Sequence, residues 1–278
     1  MVRREASHAG SWYSDDKLTL SSQLDQWLDQ VPDSIEGVGP LPPAGARVII
    51  APTYETPLGD LPIDRSTIAE LEATGQFSKM TRSVDEDEHS LEMHLPYIYK
   101  VLSRSFPNPS EFPPLTPILV GSTNPSTERT IGGILAPYLS DPGSIFIISS
   151  DFCHWGLRFS YTYYLPSAEP GSGYSLKSKD KPPTDPRIHD SIGKLDQLAM
   201  DAVAGGKHKD FLDILKETGN TVCGRHPIGV VMAALELLSK DSEGQEKGRF
   251  RFVRYERSSD CVRVGDSSVS YASAFAVV

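Results

Sequence analysis

The chain has 278 residues, of which 38% are apolar and 9% aromatic, which is enough to bury a core. Its 27 basic and 37 acidic side chains give a net charge of −10, which argues against nucleic acid or an anionic membrane as the partner. No apolar stretch approaches the roughly 20 residues that span a bilayer, and no apolar signal segment opens the sequence. The three cysteines lack paired spacing, so we expect a reduced, cytoplasmic protein.

Five strands are predicted from short apolar or alternating runs, and seven helices from apolar residues at helical spacing. Strands that alternate with helices predict a single-domain, layered α/β fold with a mainly parallel or mixed sheet. Residues 166–187 lack periodicity and are rich in Pro, Gly and Ser, which predicts a mobile surface insertion. The strands are predicted at 47–51, 116–121, 145–149, 249–255 and 269–277, and the helices at 17–30, 64–74, 88–104, 127–139, 188–204, 209–218 and 227–239.

The link after the first predicted strand is unusual for an α/β fold. Pro52, Pro57 and Pro62 interrupt it before any helix begins. A buried parallel strand normally leads within a few residues to a crossover helix. The junction after residue 52 is therefore atypical.

The predicted strand at 145–149 leads into chemically rich sequence, because residues 149–156 read Ser-Ser-Asp-Phe-Cys-His-Trp-Gly. In open α/β sheets, ligands bind beyond the carboxyl ends of the strands. We therefore expect Asp151 and His154 to contribute to a site. The alternative is a helix-capping aspartate and a histidine that binds backbone. Cys153 alternates away from its neighbours in sequence and is expected in the core.

A second candidate is the turn at residues 221–229, which reads Thr-Val-Cys-Gly-Arg-His-Pro-Ile-Gly. Pro227 is well suited to the first position of a helix. Cys223 then lies just before the helix N-terminus, beside Arg225 and His226, where a thiolate is favoured and can bind a metal. The alternative is a small buried thiol in a tight turn.

Two further segments combine several polar and aromatic side chains. The acidic run that opens residues 85–94 suits the positive end of a helix dipole. His89 and Glu92, three residues apart, share a helix face on which they could hold a metal or transfer a proton. Near the N-terminus, His8 and Trp12 belong to a segment that is either a packed lead-in or the wall of a pocket.

Taken together, the motifs at residues 4–13, 85–96, 149–156, 223–229 and 266–271 resemble the Memo family of cell-motility mediators. The resemblance extends from Arg4 to the C-terminus. It implies a fold like that of the class III non-haem iron extradiol dioxygenases, without establishing extradiol cleavage as an activity. It also implies an iron- or copper-dependent redox role, motility signalling, and binding to phosphotyrosine peptides or signalling proteins in the cytoplasm or the nucleus.

The resemblance also assigns roles to particular residues. It implies that Cys223 is a metal ligand, that His154 occupies the position of a general base beside Asp151, and that Trp12 forms a pocket wall. The remaining candidates for lining a pocket are His8, His89, Glu92, Arg225 and His226.

Two metal-ligand histidines of the family have no counterpart in this sequence. Family members continue the first strand with a His-Ala-Gly-Tyr stretch and later a Pro-Ser-His-His stretch, whereas this chain passes from Pro52 directly to Thr53. The missing length is roughly fifty residues, enough for one strand–helix unit. One thiolate falls short of a three-ligand site, so iron or copper binding is expected to be weak or absent.

Two alternatives to a redox protein with an incomplete metal site remain at this point. The chain could be a non-catalytic adaptor that binds peptides in a pocket formed by Trp12 and His154. An active ring-cleaving dioxygenase is disfavoured by the missing ligands. The loss of a strand and its covering helix also predicts exposed sheet edges and poor solubility.

Overall fold

The computed structural model describes residues 4–32, 34–35, 39–40, 55–167, 169, 171–239 and 248–278. Among these, the residues up to Val120 group into one compact unit, called unit 1, and those from Gly121 onward into another, called unit 2. Both helices and strands occur, consistent with the predicted α/β class. No helix in the described ranges is long and apolar enough to cross a membrane. The prediction of one domain stays a prediction.

Unit 1 is built mainly from helices. Its first helix begins after Asp16, whose side chain accepts the N–H of Thr19 at 2.8 Å and so caps the helix N-terminus. Leu20 and Leu24 of this helix are buried together with Leu58. The elements of unit 1 are α1 Lys17–Leu28, β1 Ser34–Ile35, β2 Gly39–Pro40, β3 Glu55–Thr56, β4 Gly59–Asp60, α2 Arg65–Ala73, α3 Arg82–Asp87, α4 His89–Glu92 and α5 Leu95–Ser105, with β1 paired to β2 and β3 to β4.

The single helix predicted at residues 88–104 is wrong, because the structure has separate short helices there. Glu88 is extended, and its carboxylate accepts the N–H groups of Ser90 and Leu91, so it ends α3 and caps α4. Pro96 lies in the first turn of α5, where its missing N–H costs no hydrogen bond. Pro96 also has no N–H to donate to the Glu92 carbonyl, as an uninterrupted helix would require, so the predicted helix breaks at Met93 and His94.

Unit 2 packs four helices with a three-stranded antiparallel sheet. Phe152, Phe211 and Met232 lie in its main core, and each is at most 4% exposed. The sheet order is β5-β9-β8. The elements of unit 2 are α6 Pro125–Ser140, β5 His154–Trp155, β6 Tyr163–Tyr164, β7 Tyr174–Ser175, α7 Ile188–Ala204, α8 His208–Thr218, α9 Arg225–Leu238, β8 Phe250–Arg257 and β9 Ser268–Ala276.

Helices α6 and α9 approach each other closely at a glycine. A Cβ atom on Gly132 would lie only 2.7 Å from the backbone oxygen of Val230. Because glycine has no Cβ, the two helices can pack with their backbones almost in contact. This packing fixes the position of the first turn of α9 relative to α6.

The strand predictions have mixed outcomes. The strands expected at 249–255 and 269–277 are confirmed as β8 and β9. Residues 116–121 and 145–149 form no strand within the described ranges, so these two predictions are wrong. A strand requires hydrogen bonds to a neighbouring strand, and the neighbour expected at 47–51 lies outside the described residues, as does the junction after residue 52.

The sheet differs in detail from its prediction, whereas the mobility expected for residues 166–187 stays a prediction. All paired strands in the described ranges run antiparallel, so the parallel sheet is not found there. Within the segment predicted to be a mobile insertion, Tyr174 pairs with Tyr164, and Leu176 is only 5% exposed. A hairpin and a buried leucine therefore connect that segment to unit 2.

Candidate functional site

In unit 2, the segment that carries Asp151 and His154 runs beside the turn that carries Cys223. The backbone N–H of Cys223 donates to the carbonyl of Asp151 at 3.1 Å. The backbone N–H of His154 donates to the Thr221 hydroxyl at 2.7 Å, and that hydroxyl lies 3.2 Å from the His154 carbonyl. These bonds bring the carboxylate, the imidazole and the thiol to neighbouring backbone positions. We call this group the thiol–imidazole site.

Gly224 allows the turn to lie against the preceding segment. Its N–H donates to the Ser150 hydroxyl at 3.0 Å. A Cβ atom at this position would lie 2.4 Å from both the Ser149 backbone oxygen and the Ser150 Cβ. Any larger residue would therefore push the turn away and move Cys223 with it.

Helix α9 begins at Arg225, so Cys223 precedes it by two residues. The prediction that Pro227 is the first helical residue is wrong, since Pro227 is the third. The first-turn N–H groups of a helix have no intrahelical partner, so proline is tolerated at any of these positions.

His154 is held by contacts to both of its ring nitrogens. Nδ1 lies 3.2 Å from the Thr221 carbonyl oxygen, which can only accept, so Nδ1 carries a hydrogen. Nε2 lies 3.6 Å from Oδ2 of Asp151. The His154 side chain is 24% exposed and that of Asp151 is 43% exposed. The imidazole is therefore oriented with Nε2 toward a partly solvated carboxylate, an arrangement suited to acid–base chemistry.

The three cysteines lie in described parts of the chain and form no disulfide. Cys153 and Cys261 are fully buried in a core cluster of unit 2, which confirms the core prediction for Cys153. Burial raises the pKa of the Cys153 thiol well above its ordinary value and that of Cys261 to about 11. Cys223, in contrast, is exposed. It is therefore the thiol that solvent and ligands can reach.

His226 belongs to a second group in unit 2, centred on the buried carboxylate of Glu128. Oε1 of Glu128 lies 2.7 Å from Nδ1 of His226, and Oε2 lies 2.6 Å from Nε2 of His208. The Thr123 hydroxyl also donates to Oε1 at 3.2 Å. Burial opposes ionisation of Glu128, but the hydrogen bonds from His208 and His226 hold its pKa below the ordinary value. Arg225 is adjacent in sequence, and its Nε atom is buried without a hydrogen-bond partner.

In unit 1, His8 is anchored by the fully buried carboxylate of Glu92. Oε1 accepts the His8 backbone N–H at 2.8 Å and the Tyr13 hydroxyl at 2.9 Å. Oε2 lies 3.0 Å from Nδ1 of His8 and forms an ion pair with Arg4. The sequence suggested that Glu92 would act with His89 on one helix face. Glu92 instead contacts the N-terminal segment.

The ionisation states of unit 1 follow from these contacts. Burial opposes ionisation of Glu92, but hydrogen bonds from His8, Arg4 and Tyr13 keep its pKa below the ordinary value. Burial and the hydrogen bond to Glu92 raise the pKa of Tyr13 far above its ordinary value. Glu92 is therefore an anion that fixes the N-terminal segment.

Three rings meet next to this carboxylate. The ring centre of Trp12 lies 5.5 Å from that of His8 and 4.8 Å from that of His89, and the two imidazoles are 6.2 Å apart. Trp12 is 57% exposed. The structure thus brings together His8, Trp12, His89 and Glu92 in unit 1, and Asp151, His154 and Cys223 in unit 2.

The donor atoms match iron or copper in type but not in number. A thiolate with imidazoles suits either metal. Across the described ranges, however, no group of three or more His, Cys, Asp or Glu side chains is arranged to hold a metal ion. Cys223 and His154 supply two donors, fewer than the three protein ligands of a typical catalytic centre. These residues therefore do not fit a complete metal centre by themselves.

The fold and the site thus define a mixed α and β protein with an exposed thiol on a turn that is hydrogen-bonded to the segment carrying His154. The sequence model for the Memo family, described as "Memo-like protein", matches residues 42–275. Protein MEMO1 of Danio rerio is 38% identical over 317 residues, covering 100% of this chain and 98% of the relative. The chain belongs to the Memo family.

Other relatives are similar to this chain over nearly its whole length. Protein MEMO1 of Homo sapiens is 36% identical, with 98% of this chain and 97% of the relative covered. A MEMO1 family protein of Schizosaccharomyces pombe is 34% identical, with 98% of each covered. The alignment to the Danio rerio protein is 317 positions long and covers all 278 residues here, so about 39 positions (317 less 278) have no residue in this chain. A deletion relative to the family agrees with that length difference, which is smaller than the roughly fifty residues expected from the sequence.

Proposed function

We propose that this Memo-family chain has an iron- or copper-dependent redox role in motility-type signalling, and that its metal site is incomplete. Cys223 is the anchoring ligand, and His154 supplements it. The observation that carries the proposal is the hydrogen bond from the Cys223 N–H to the Asp151 carbonyl. This bond brings an exposed thiol to the segment that carries His154.

The expected strength of binding follows from the donor count. Cu(I) and iron accept thiolate and imidazole ligands, and exposure of Cys223 leaves its sulfur accessible. Two protein donors leave the remaining coordination positions to water or to a ligand. We therefore propose weak binding and no competent extradiol cleavage.

When Nε2 of His154 is not bound to a metal, His154 and Asp151 have a proposed acid–base role at this site. The contact of Nδ1 with the Thr221 carbonyl fixes the imidazole, and Nε2 then exchanges protons with a bound ligand next to Asp151. When His154 is protonated, the carboxylate stabilises its charge.

Metal analysis of the purified full chain tests the proposal. When the chain is dialysed to equilibrium against buffer that contains copper or iron, we expect the wild type to retain metal above the buffer concentration, His154→Gln to retain less, and Cys223→Ser to retain none. Ser140→Ala, at the exposed end of α6, is the matched control and should behave as the wild type. Absence of retained metal in the wild type would contradict the proposal.

A second candidate function rests on unit 1. Trp12 is 57% exposed and contacts the rings of His8 and His89, which is typical of an aromatic binding surface. On this alternative, the chain is a non-catalytic adaptor that binds phosphotyrosine peptides or signalling proteins, in the cytoplasm or nucleus. Its test is a peptide pulldown with chelator present.

Matched variants separate the two candidates in that pulldown. Binding that is lost in Trp12→Ala and kept in Cys223→Ser favours the adaptor. Trp27→Ala is the control, because Trp27 is also an exposed tryptophan of unit 1, at 48%, but stacks on Tyr97. Equal binding by the Trp12 and Trp27 variants counts against the adaptor.

A further inference from the structure

The Glu128 group fixes the positions of two imidazole hydrogens. Glu128 is 1% exposed, and a carboxylate with a lowered pKa is ionised and can only accept hydrogen bonds. The atoms that face it are Nδ1 of His226 and Nε2 of His208, so each of these nitrogens carries a hydrogen. In its neutral form, His226 therefore has its lone pair on Nε2, whereas His208 has its lone pair on Nδ1.

The two histidines differ in whether they can accept a further proton. His208 is fully buried, and its Nδ1 has no hydrogen-bond partner. A proton there would create a buried donor without an acceptor, which is costly. The His226 side chain is 19% exposed. Proton exchange in this group therefore takes place at Nε2 of His226.

The carboxylate cannot turn away from His226. A Cβ atom on Gly229 would lie 2.6 Å from Oε2 of Glu128, so the carboxylate packs against the backbone of α9 one turn after His226. The Thr123 hydroxyl donates to Oε1 at 3.2 Å. The imidazole is thus held in one orientation before any ligand arrives, as a proton-transfer residue requires.

Arg225, the residue before His226, supplies a cation at the same end of α9. It is the first residue of α9, where the helix dipole already disfavours positive charge. Its Nε is buried without a partner, and no acidic side chain in the described ranges forms an ion pair with it. An anion beside this first turn would therefore be stabilised by both the guanidinium and the helix N-terminus.

We propose that the first turn of α9 is a proton-transfer site for a weak oxygen or sulfur acid, such as a phenol or a thiol. The ligand's proton passes to Nε2 of His226, and the electron pair stays on the ligand's oxygen or sulfur. Arg225 and the N-terminus of α9 stabilise the resulting anion. Glu128 is the positioning residue, and the proton returns to the anion from His226. No metal or oxidant takes part.

The tautomers are tested first, by NMR of the 15N-labelled full chain. In wild-type protein, when both imidazoles are neutral, we expect hydrogen on Nδ1 of His226 and on Nε2 of His208. In Glu128→Gln the amide group donates to one imidazole, so one of the two should change tautomer. Asp213→Asn, an exposed carboxylate on α8, should leave both unchanged. Hydrogen on Nε2 of neutral wild-type His226 would overturn the proposal even if Glu128→Gln fails to fold.

The ligand class is tested with 4-nitrophenol, whose anion absorbs visible light. Added at a pH where free probe is mostly protonated, it should show phenolate absorbance with wild type and none with His226→Gln. Binding should weaken about tenfold in Glu128→Gln, as is usual when an orienting partner is lost. Arg225→Gln should also bind more weakly. An intact signal in Cys223→Ser separates this site from the metal proposal. Absence of phenolate absorbance with wild type, or an equal signal in His226→Gln, would overturn the proton-transfer proposal.

Discussion

Cys223 donates its backbone N–H to the carbonyl oxygen of Asp151 across 3.1 Å. Because the contact joins two backbones, the backbone position of residue 223 does not depend on the identity of either side chain. It depends on how closely the turn can approach the segment before His154, and Gly224 sets that approach.

Replacement of Gly224 by alanine should destabilise unit 2. The new Cβ would lie 2.4 Å from the Ser149 oxygen, and overpacking of this kind costs about 1–3 kcal/mol. Denaturant unfolding measures the change. Gly265→Ala is the control, since a Cβ there has open space and the effect should stay within about 0.5 kcal/mol. Similar stabilities of the two variants would show that the turn is not tightly packed.

Replacement of Glu92 by glutamine should be among the most destabilising changes in unit 1. It removes one of the two carboxylates that pair with the buried Arg4 side chain and leaves Asp85 at 3.7 Å, and loss of a charged hydrogen-bond partner costs about 1.5–3 kcal/mol. Asp29→Asn is the control, because Asp29 is 69% exposed and pairs with the partly exposed Arg104. Its change should be too small to measure. If both variants unfold at the same denaturant concentration, the role given to Glu92 is wrong.

The lowered pKa values of Glu92 and Glu128 predict loss of stability in acid. A carboxyl whose folded pKa lies below its ordinary value of 4.5 contributes stability above pH 4.5 and loses that contribution as the pH falls through the folded pKa. The free energy of unfolding should therefore drop steeply below pH 4.5. The drop should be smaller in Glu92→Gln, and an unchanged slope in that variant would refute the assignment.

A chain that restores the family segment between Pro52 and Thr53 should melt at a higher temperature and be more soluble. The added strand and helix would cover sheet edges that the shorter chain exposes. Thermal unfolding of the two chains makes the comparison. Equal melting temperatures would contradict the expectation.

If splicing removed the segment between Pro52 and Thr53, the genomic DNA between these two codons should encode the absent histidines.

The sequence predicted elements best where strong apolar periodicity has clear ends. Helix α7, Ile188–Ala204, has the predicted bounds, and β8 and β9 agree within two residues at each end. The strands expected at 116–121 and 145–149 failed, because apolar runs show burial but not whether a neighbouring strand is present to pair with. The helix expected at 88–104 failed because it breaks at Met93 and His94, between α4 and α5, just before Pro96.

The site was partly accessible to sequence reasoning. The strand-end rule drew attention to Asp151 and His154, and the glycine in the Cys-Gly-Arg-His turn indicated close packing. Glu128 and His208 were missed, because they are 80 residues apart and no local pattern encodes their contact. Glu92 was noticed, but helix periodicity could not reveal that its carboxylate binds the N-terminal segment.

The most direct test of the central claim is a Cu(I) titration of the folded full chain against a coloured competing chelator. We predict weak, saturable binding by the wild type and none by Cys223→Ser, since the sulfurs of Cys153 and Cys261 lie inside the core and cannot replace the lost ligand. Unchanged Cu(I) affinity in Cys223→Ser would contradict the account.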